Sequence, residues 1–297
     1  MNPLKDDNQY LDDPAMLTKR MQEKGYLYLR EYLNKEKVIF LRDKLLKTLK
    51  TLKWVDPASP EGFAIPLLPI RTFRSPEYDQ AIPLIQSMED LHRFAYDEKL
   101  TSLMHKVIGF PIVCHATRVV RMINPVSLEK ESTVDIHQDY RYVQGTPSTY
   151  TAWFPLGDCP QEMGGLRILE GSHNQGVRPV LGLGKSKCGI VDIPNDHSDW
   201  ASISYKVGDV LVFHSYTIHG PLPNLTKFLR FSADFRYQSV HDPICERALR
   251  PFCYPDIADW DVLAKDWTTT QWVQIPESMK IVPYDQVIQN ENLEQLI

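Results

Sequence analysis

Everything past Gly109 constrains the fold more than any other part of this chain. Five stretches, "PIVCHATRVVRMINP", "STYTAWFPLGD", "GGLRILEGS", "DVLVFHSYTIHG" and "FLRFSADFRY", follow one another as short runs rich in β-branched and aromatic residues. Gly, Pro, Asn and Asp separate them, and no helical period of useful length intervenes. Parallel βαβ units need a helix between strands, so this order points instead to a sandwich or jelly roll. The expected class is mainly β with flanking helices.

The helices belong to the first third. "DDPAMLTKRMQEKGYLYL" reads as a capped helix ending at Gly25, followed by a short strand from Tyr26 to Leu29. Val38, Leu41, Leu45, Leu49 and Leu52 recur at helical spacing behind Asn34, a cap residue. The proline-rich 57–76 stretch, with Arg71 and Arg74, reads as an ordered loop. "MEDLHRFAYDEKLTSLMHKVIG" reads as one more helical stretch stopping at Gly109. No repeat or linker breaks the chain. The reading is therefore one domain over 1–297: helical support over 1–110, a β core over 111–240, and an extension over 241–297 whose Trp260, Trp267 and Trp272 pack it back on the core.

Bulk properties exclude several functions. A net charge of -5 with no long basic run argues against nucleic acid as a partner. No apolar run reaches the ~18 residues of a membrane span. The N-terminal "MNPLKDDNQYLDDPAM" lacks the basic flank and apolar core of a signal peptide. The cysteines (Cys114, Cys159, Cys188, Cys245 and Cys253) are odd in number and form no C-x-x-C pair, which suits a reduced, cytoplasmic protein better than a disulfide framework or thiolate zinc.

Chemistry enters with "DIHQDYRY". On a strand, His137 and Asp139 would share a face. The pair is compatible with a metal site, an acid/base pair or an ordinary surface hydrogen bond, and a third ligand would decide. His92 and His105 suit surface or capping positions on the helical part. His115 suits a core strand, His197 a polar loop and His241 a turn. His214 and His219, both in "GDVLVFHSYTIHGPLPN", are the candidates for a two-histidine, one-carboxylate set, which binds iron(II) and leaves three positions open. On the following strand Arg230 and Ser232 share a face, and an inward arginine is costly unless it meets an anion. A guanidinium with a hydroxyl suits a carboxylate, although a structural Asp or Glu would serve as well.

The ordered set His137, Asp139, His219 and Arg230 resembles the iron(II)/2-oxoglutarate-dependent dioxygenases, and within them the phytanoyl-CoA dioxygenase family. "HQDYRY" is similar to that family's first ligand motif. "MGGLRILEGSHNQG" is similar to its mid-barrel segment, with Glu170 where proline is usual. "GDVLVFHSYTIHGPLPN" is similar to its second ligand strand, whose last histidine favours His219 over His214. The resemblance covers roughly 110–240. It implies a double-stranded β-helix (a cupin-like jelly roll) with iron(II) at its open end. 2-Oxoglutarate would bind iron by its keto-acid end and Arg230 by its far carboxylate, helped by Ser232, with Gln138 and Trp153 lining the co-substrate pocket. Dioxygen would be the second co-substrate. The implied reaction is oxidative decarboxylation to succinate and carbon dioxide, coupled to hydroxylation of an unactivated C–H. Related halogenases carry glycine or alanine in place of the carboxylate, so Asp139 disfavours halogenation. The expected substrate is a small polar metabolite of specialised biosynthesis, selected by loops 56–80, 139–150 and 175–200. A fatty acyl-CoA is the alternative, for which Arg71, Arg74, Arg118, Arg121 and Arg141 could form a basic mouth. A non-catalytic, ligand-binding jelly roll is the remaining one. Asp135, Tyr140 and Arg141 beside the motif favour the polar substrate.

Overall fold

The structure is a computed structural model describing residues 1–68, 76–128, 135–183, 189–193, 199–252 and 258–285. Arg71, Arg74, His197, Cys188 and Cys253 lie outside the described residues, as do parts of the loops 56–80 and 175–200.

The first helix, Pro14–Lys24, begins where the Asp13 carboxylate accepts from Met16 N at 3.0 Å, with Pro14 in the first turn. It stops at Gly25, whose φ of 82° is left-handed. A Cβ there would lie 2.5 Å from His173 Nδ1 and 2.9 Å from Thr217 Oγ1. Gly25→Ala is therefore expected to lower the thermal midpoint by several degrees, since left-handed strain of about 1–2 kcal/mol adds to the clash; a melt indistinguishable from the parent would refute this. Tyr26–Leu29 then enters the sheet, and Asn34 caps Lys35–Thr51 through Lys37 N at 2.9 Å.

Two sheets form the sandwich. The larger runs Tyr26–Leu29, Val210–His214, Tyr150–Pro155, Arg230–Ser239 and Ile112–Cys114, with Val119–Ile123 also paired to Arg230–Ser239. The smaller runs Asn2–Pro3, Trp200–Ser202, Leu166–Leu169 and His219–Pro221. Both sheets are open at their edges. One apolar core lies between the larger sheet and the helices; Leu27, Leu29, Ala152, Phe154, Val210 and Val212 meet Leu41, Leu45 and Leu49 there. The alternate residues Tyr26, Tyr28, Trp153, Leu211 and Phe213 face the smaller sheet's Leu166, Ile168 and Ala201 in a second core.

Arg230–Ser239 is an interior strand, paired to Tyr150–Pro155 on one side and to Ile112–Cys114 and Val119–Ile123 on the other. Phe231, Ala233, Phe235 and Tyr237 belong to the helix-side core. The alternate positions, Arg230, Ser232, Asp234, Arg236 and Gln238, are all polar and all buried. A buried polar row on the sandwich side of an interior strand costs free energy unless it is partnered, and this row supplies much of the site.

Several expectations are corrected. The stretch read as one helix before Gly109 is two, Glu89–Phe94 and Glu98–Ile108, because the Asp97 carboxylate caps Lys99 N at 3.1 Å. A further helix, Pro76–Gln86, carries Pro83 internally and gave no sequence signal strong enough to outweigh its prolines. His92 is not a surface residue. It is fully buried, with Nε2 2.9 Å from Gln86 O, Nδ1 2.8 Å from Arg118, and its ring 5.0 Å from Trp260 and 4.8 Å from Trp267. The three tail tryptophans pack mainly there: Trp267 Nε1 donates to Ser87 O at 2.8 Å and Trp272 Nε1 to Glu89 at 3.0 Å. Farther on, the tail reaches the segment after Asp139, where Gln144 exchanges two 2.8 Å hydrogen bonds with the Asp285 backbone. Among the described residues no helix is long and apolar enough to cross a membrane.

Candidate metal and co-substrate site

His137 and His219 face each other across an isolated antiparallel bridge: His137 N donates to His219 O at 2.9 Å and His219 N to His137 O at 3.0 Å. Asp139 is not on a strand. Its backbone is helical (φ −63°, ψ −34°) and it precedes the short helix Tyr140–Val143. The same-face argument from strand periodicity therefore fails. The turn itself swings the carboxylate back, placing Asp139 Oδ1 3.6 Å from His137 Nε2 and 3.9 Å from His219 Nε2. One ligand atom from each residue lies within 4.8 Å of the others, and all three residues are buried.

The donor set fits a divalent ion. His137 Nδ1 is 2.7 Å from Asp135 O and His219 Nδ1 is 2.9 Å from Thr217 O. Those carbonyls accept only, so each ring carries its proton on Nδ1 and turns the Nε2 lone pair toward Asp139. Burial and the nearby His137 push the His219 pKa down to about 3, keeping it neutral. Burial opposes ionisation of Asp139, but the Arg236 guanidinium and the two histidines outweigh it and hold the carboxyl well below the usual range. Two imidazoles and a carboxylate form the facial set that suits iron(II).

His214, the other candidate ligand, lies elsewhere. Its Nδ1 accepts from Tyr216 N at 3.1 Å, and its ring packs on Tyr150 at 5.4 Å and His173 at 5.8 Å.

A narrow cavity connects the two histidines of the triad with Arg230. His137, His219, Trp153, Arg121, Asp234 and Arg230 are among its lining residues. Arg230 is fully buried. It donates from Nε to Gly164 O at 3.2 Å and from NH1 to Ser232 Oγ, and lies 5.7 Å over the Trp153 ring. Among the described residues no carboxylate lies within ion-pair distance of it, and burial brings its pKa down to about 10. A buried cation with no described carboxylate in ion-pair reach, opening on a cavity, has the chemistry to take an anion such as a carboxylate. Trp153 Nε1 lines the same cavity without a hydrogen-bond partner.

Gln138 sits differently. Its amide donates to Gly176 O at 2.8 Å and Tyr216 O at 2.6 Å and accepts from Arg178 N at 2.8 Å. With those groups spent on backbone it ties the 176–178 segment to the site and is not among the cavity's lining residues.

Two important residues escaped the sequence reading. Arg236 donates from Nε to Asp139 Oδ2 at 3.1 Å and from NH2 to Oδ1 at 3.0 Å. Thr151 Oγ1 donates to Asp139 Oδ2 at 2.6 Å. Arg121 pairs with Asp234 at 2.8 Å, and Asp234 lies 3.5 Å from Arg236. The available signal was the polar alternation in "RFSADFRYQ", which continues past Ser232.

Comparison with known proteins agrees with this geometry. A family model described as phytanoyl-CoA dioxygenase matches residues 21–232. The 1-deoxypentalenic acid 11-beta-hydroxylase of Streptomyces exfoliatus is 28% identical over 268 residues, covering 86% of this chain and 89% of that protein. Among solved structures, EctD from S. alaskensis with 2-oxoglutarate and 5-hydroxyectoine has a TM-score of 0.55 at 17% identity, covering 96% of this chain and 92% of its own. The epimerase SnoN in complex with Fe3+, alpha ketoglutarate and nogalamycin RO has a TM-score of 0.51 at 17% identity, covering 77% and 86%. These structures share the jelly-roll architecture described above.

Proposed function

Because this chain belongs to the phytanoyl-CoA dioxygenase family and is an iron(II)/2-oxoglutarate-dependent oxygenase acting on a small molecule, we propose that it hydroxylates an unactivated C–H of a small polar metabolite in specialised biosynthesis. His137, Asp139 and His219 hold the iron, and Arg230 with Ser232 takes the distal carboxylate of 2-oxoglutarate. Bound there, iron with 2-oxoglutarate and dioxygen supplies the oxidising power. The protein's own residues do the rest. The Nδ1–H bonds to Asp135 O and Thr217 O fix both histidine rings. Arg230 sets the reach of the co-substrate, and Trp153, Leu166 and Phe213 keep the cavity poor in water.

The observation that carries the reading is a three-donor set whose two histidines share one cavity with the buried, anion-seeking Arg230. The hydroxylase relative is named for a small organic acid, which supports a small-molecule substrate. The acyl-CoA alternative loses support, since Arg118, nominated for a basic mouth, is fully buried against His92 and Trp272 O. The described cysteines Cys114, Cys159 and Cys245 are free thiols, which supports a cytoplasmic setting. The tail contacts at Gln144 support treating 1–297 as one catalytic unit.

Anaerobic addition of iron(II) and 2-oxoglutarate is expected to give a weak visible charge-transfer band, and turnover of a polar-metabolite panel under labelled dioxygen to add one labelled oxygen. Absence of the band would refute the site. Turnover of acyl-CoAs alone would refute the substrate class and leave the site standing.

A further inference from the structure

The two oxygens of Asp139 are treated differently by the protein. Oδ1 is the oxygen that faces His137 Nε2 and His219 Nε2. Oδ2 receives two donors, Thr151 Oγ1 at 2.6 Å and Arg236 Nε at 3.1 Å, and the second Arg236 bond, from NH2 to Oδ1 at 3.0 Å, completes a two-point grip on the carboxylate. Thr151 and Arg236 are paired across neighbouring strands, so both donors rise from the floor of the larger sheet. Arg236 is itself held by Asp234, which Arg121 anchors in turn.

We propose that Thr151 and Arg236 are positioning residues that hold Asp139 as a one-oxygen metal ligand: two donors occupy Oδ2, while Oδ1 carries only the Arg236 NH2 bond and keeps its remaining lone pair toward the two histidines. This rests on the metal-site assignment above. Its importance lies in the number of coordination positions. Two histidines and one carboxylate oxygen leave three of six places open on an octahedral ion. A carboxylate binding through both oxygens would leave two, no more than a chelating keto acid takes. The sheet therefore decides whether a place remains for the second co-substrate. Charge alone would argue against Arg236, since a guanidinium beside a dication's ligand weakens the carboxylate's hold on the metal. The planar, two-bond geometry gives the arginine a role that a lysine could not fill.

Three variants and one parent measurement test this. Thr151→Val keeps the shape and removes the hydroxyl; Arg236→Gln removes the charge and the grip; Arg236→Lys keeps the charge and loses the grip. Manganese(II), added alone and followed by calorimetry, is the probe of the metal site. Thr151→Val is expected to bind manganese as tightly as the parent or more tightly, because the freed Oδ2 adds a bond, while turnover falls about 10–100-fold, the usual range for outer-shell changes. The maximum of the anaerobic iron(II)/2-oxoglutarate band should shift in the same variant. Arg236→Lys should resemble Arg236→Gln in turnover. Parent-like turnover in Thr151→Val, metal affinity and turnover falling together, or restoration by Arg236→Lys would each overturn the proposal. Should the arginine variants fail to fold, Thr151→Val decides. A crystal structure of the manganese-loaded parent decides independently: Oδ2 on Thr151 and Arg236 supports the proposal, and Oδ2 on the metal overturns it. Failure of the parent to bind manganese would instead refute the metal site itself.

Discussion

His219→Ala is expected to abolish turnover and to weaken metal binding by more than about 100-fold, because even changes outside the ligand set commonly cost 10–100-fold. His214→Ala is the matched control. The two residues begin and end one short connection, yet only His219 presents Nε2 to Asp139, at 3.9 Å. His214 spends Nδ1 on Tyr216 N and its ring on Tyr150 and His173. Its alanine variant should bind manganese(II) like the parent and support coupled succinate formation. Calorimetry on both variants provides the measurement, and loss of metal binding in His214→Ala alone would reverse the ligand assignment.

The second large effect is expected at Arg230. Losing a charged partner in a desolvated site costs about 2–5 kcal/mol. At ~1.4 kcal/mol per tenfold, Arg230→Ala should raise the 2-oxoglutarate requirement about thirtyfold or more. Manganese binding should persist, since Arg230 touches none of the three ligands. A thermal melt should accompany the measurement, because the substitution ends a desolvation cost but also removes the hydrogen bonds to Gly164 O and Ser232 Oγ and the packing on Trp153. Unchanged dependence on 2-oxoglutarate would place the anion site elsewhere.

Legibility in the sequence followed the range of the interactions. The β class, the capped helix before Gly25 and the Asn34 cap rest on contacts a few residues apart, and such contacts are written in local patterns. Arg230 was legible for a different reason: an inward charge on a β-rich strand demands an explanation wherever it occurs. Arg236 stands on the same face of the same strand, but it answers to Asp139, and nothing local joins those positions. Thr151, an ordinary strand residue by composition, was silent for the same cause. His92 was misread because its burial is produced by Trp260 and Trp267, which arrive from the far end of the chain. The convergence of His137 and Asp139 was anticipated through strand periodicity, whereas a helical turn at Asp139 brings it about.

The two-sided character of Arg230–Ser239 bears on how such a centre can be retuned over generations. Packing against the helices governs Phe231, Ala233, Phe235 and Tyr237; chemistry governs Arg230, Ser232, Asp234 and Arg236. Because the two sets alternate, a substitution in one leaves the other in register, so drift in the core and innovation at the site can proceed on separate schedules. Length is the variable that is denied. One residue gained or lost inside the strand turns every side chain beyond that point to the opposite face, driving polar residues of the site into the apolar layer and core residues into the site. Variation within the strand is confined to exchange of residues at fixed length, and changes of length fall to the connections that surround it.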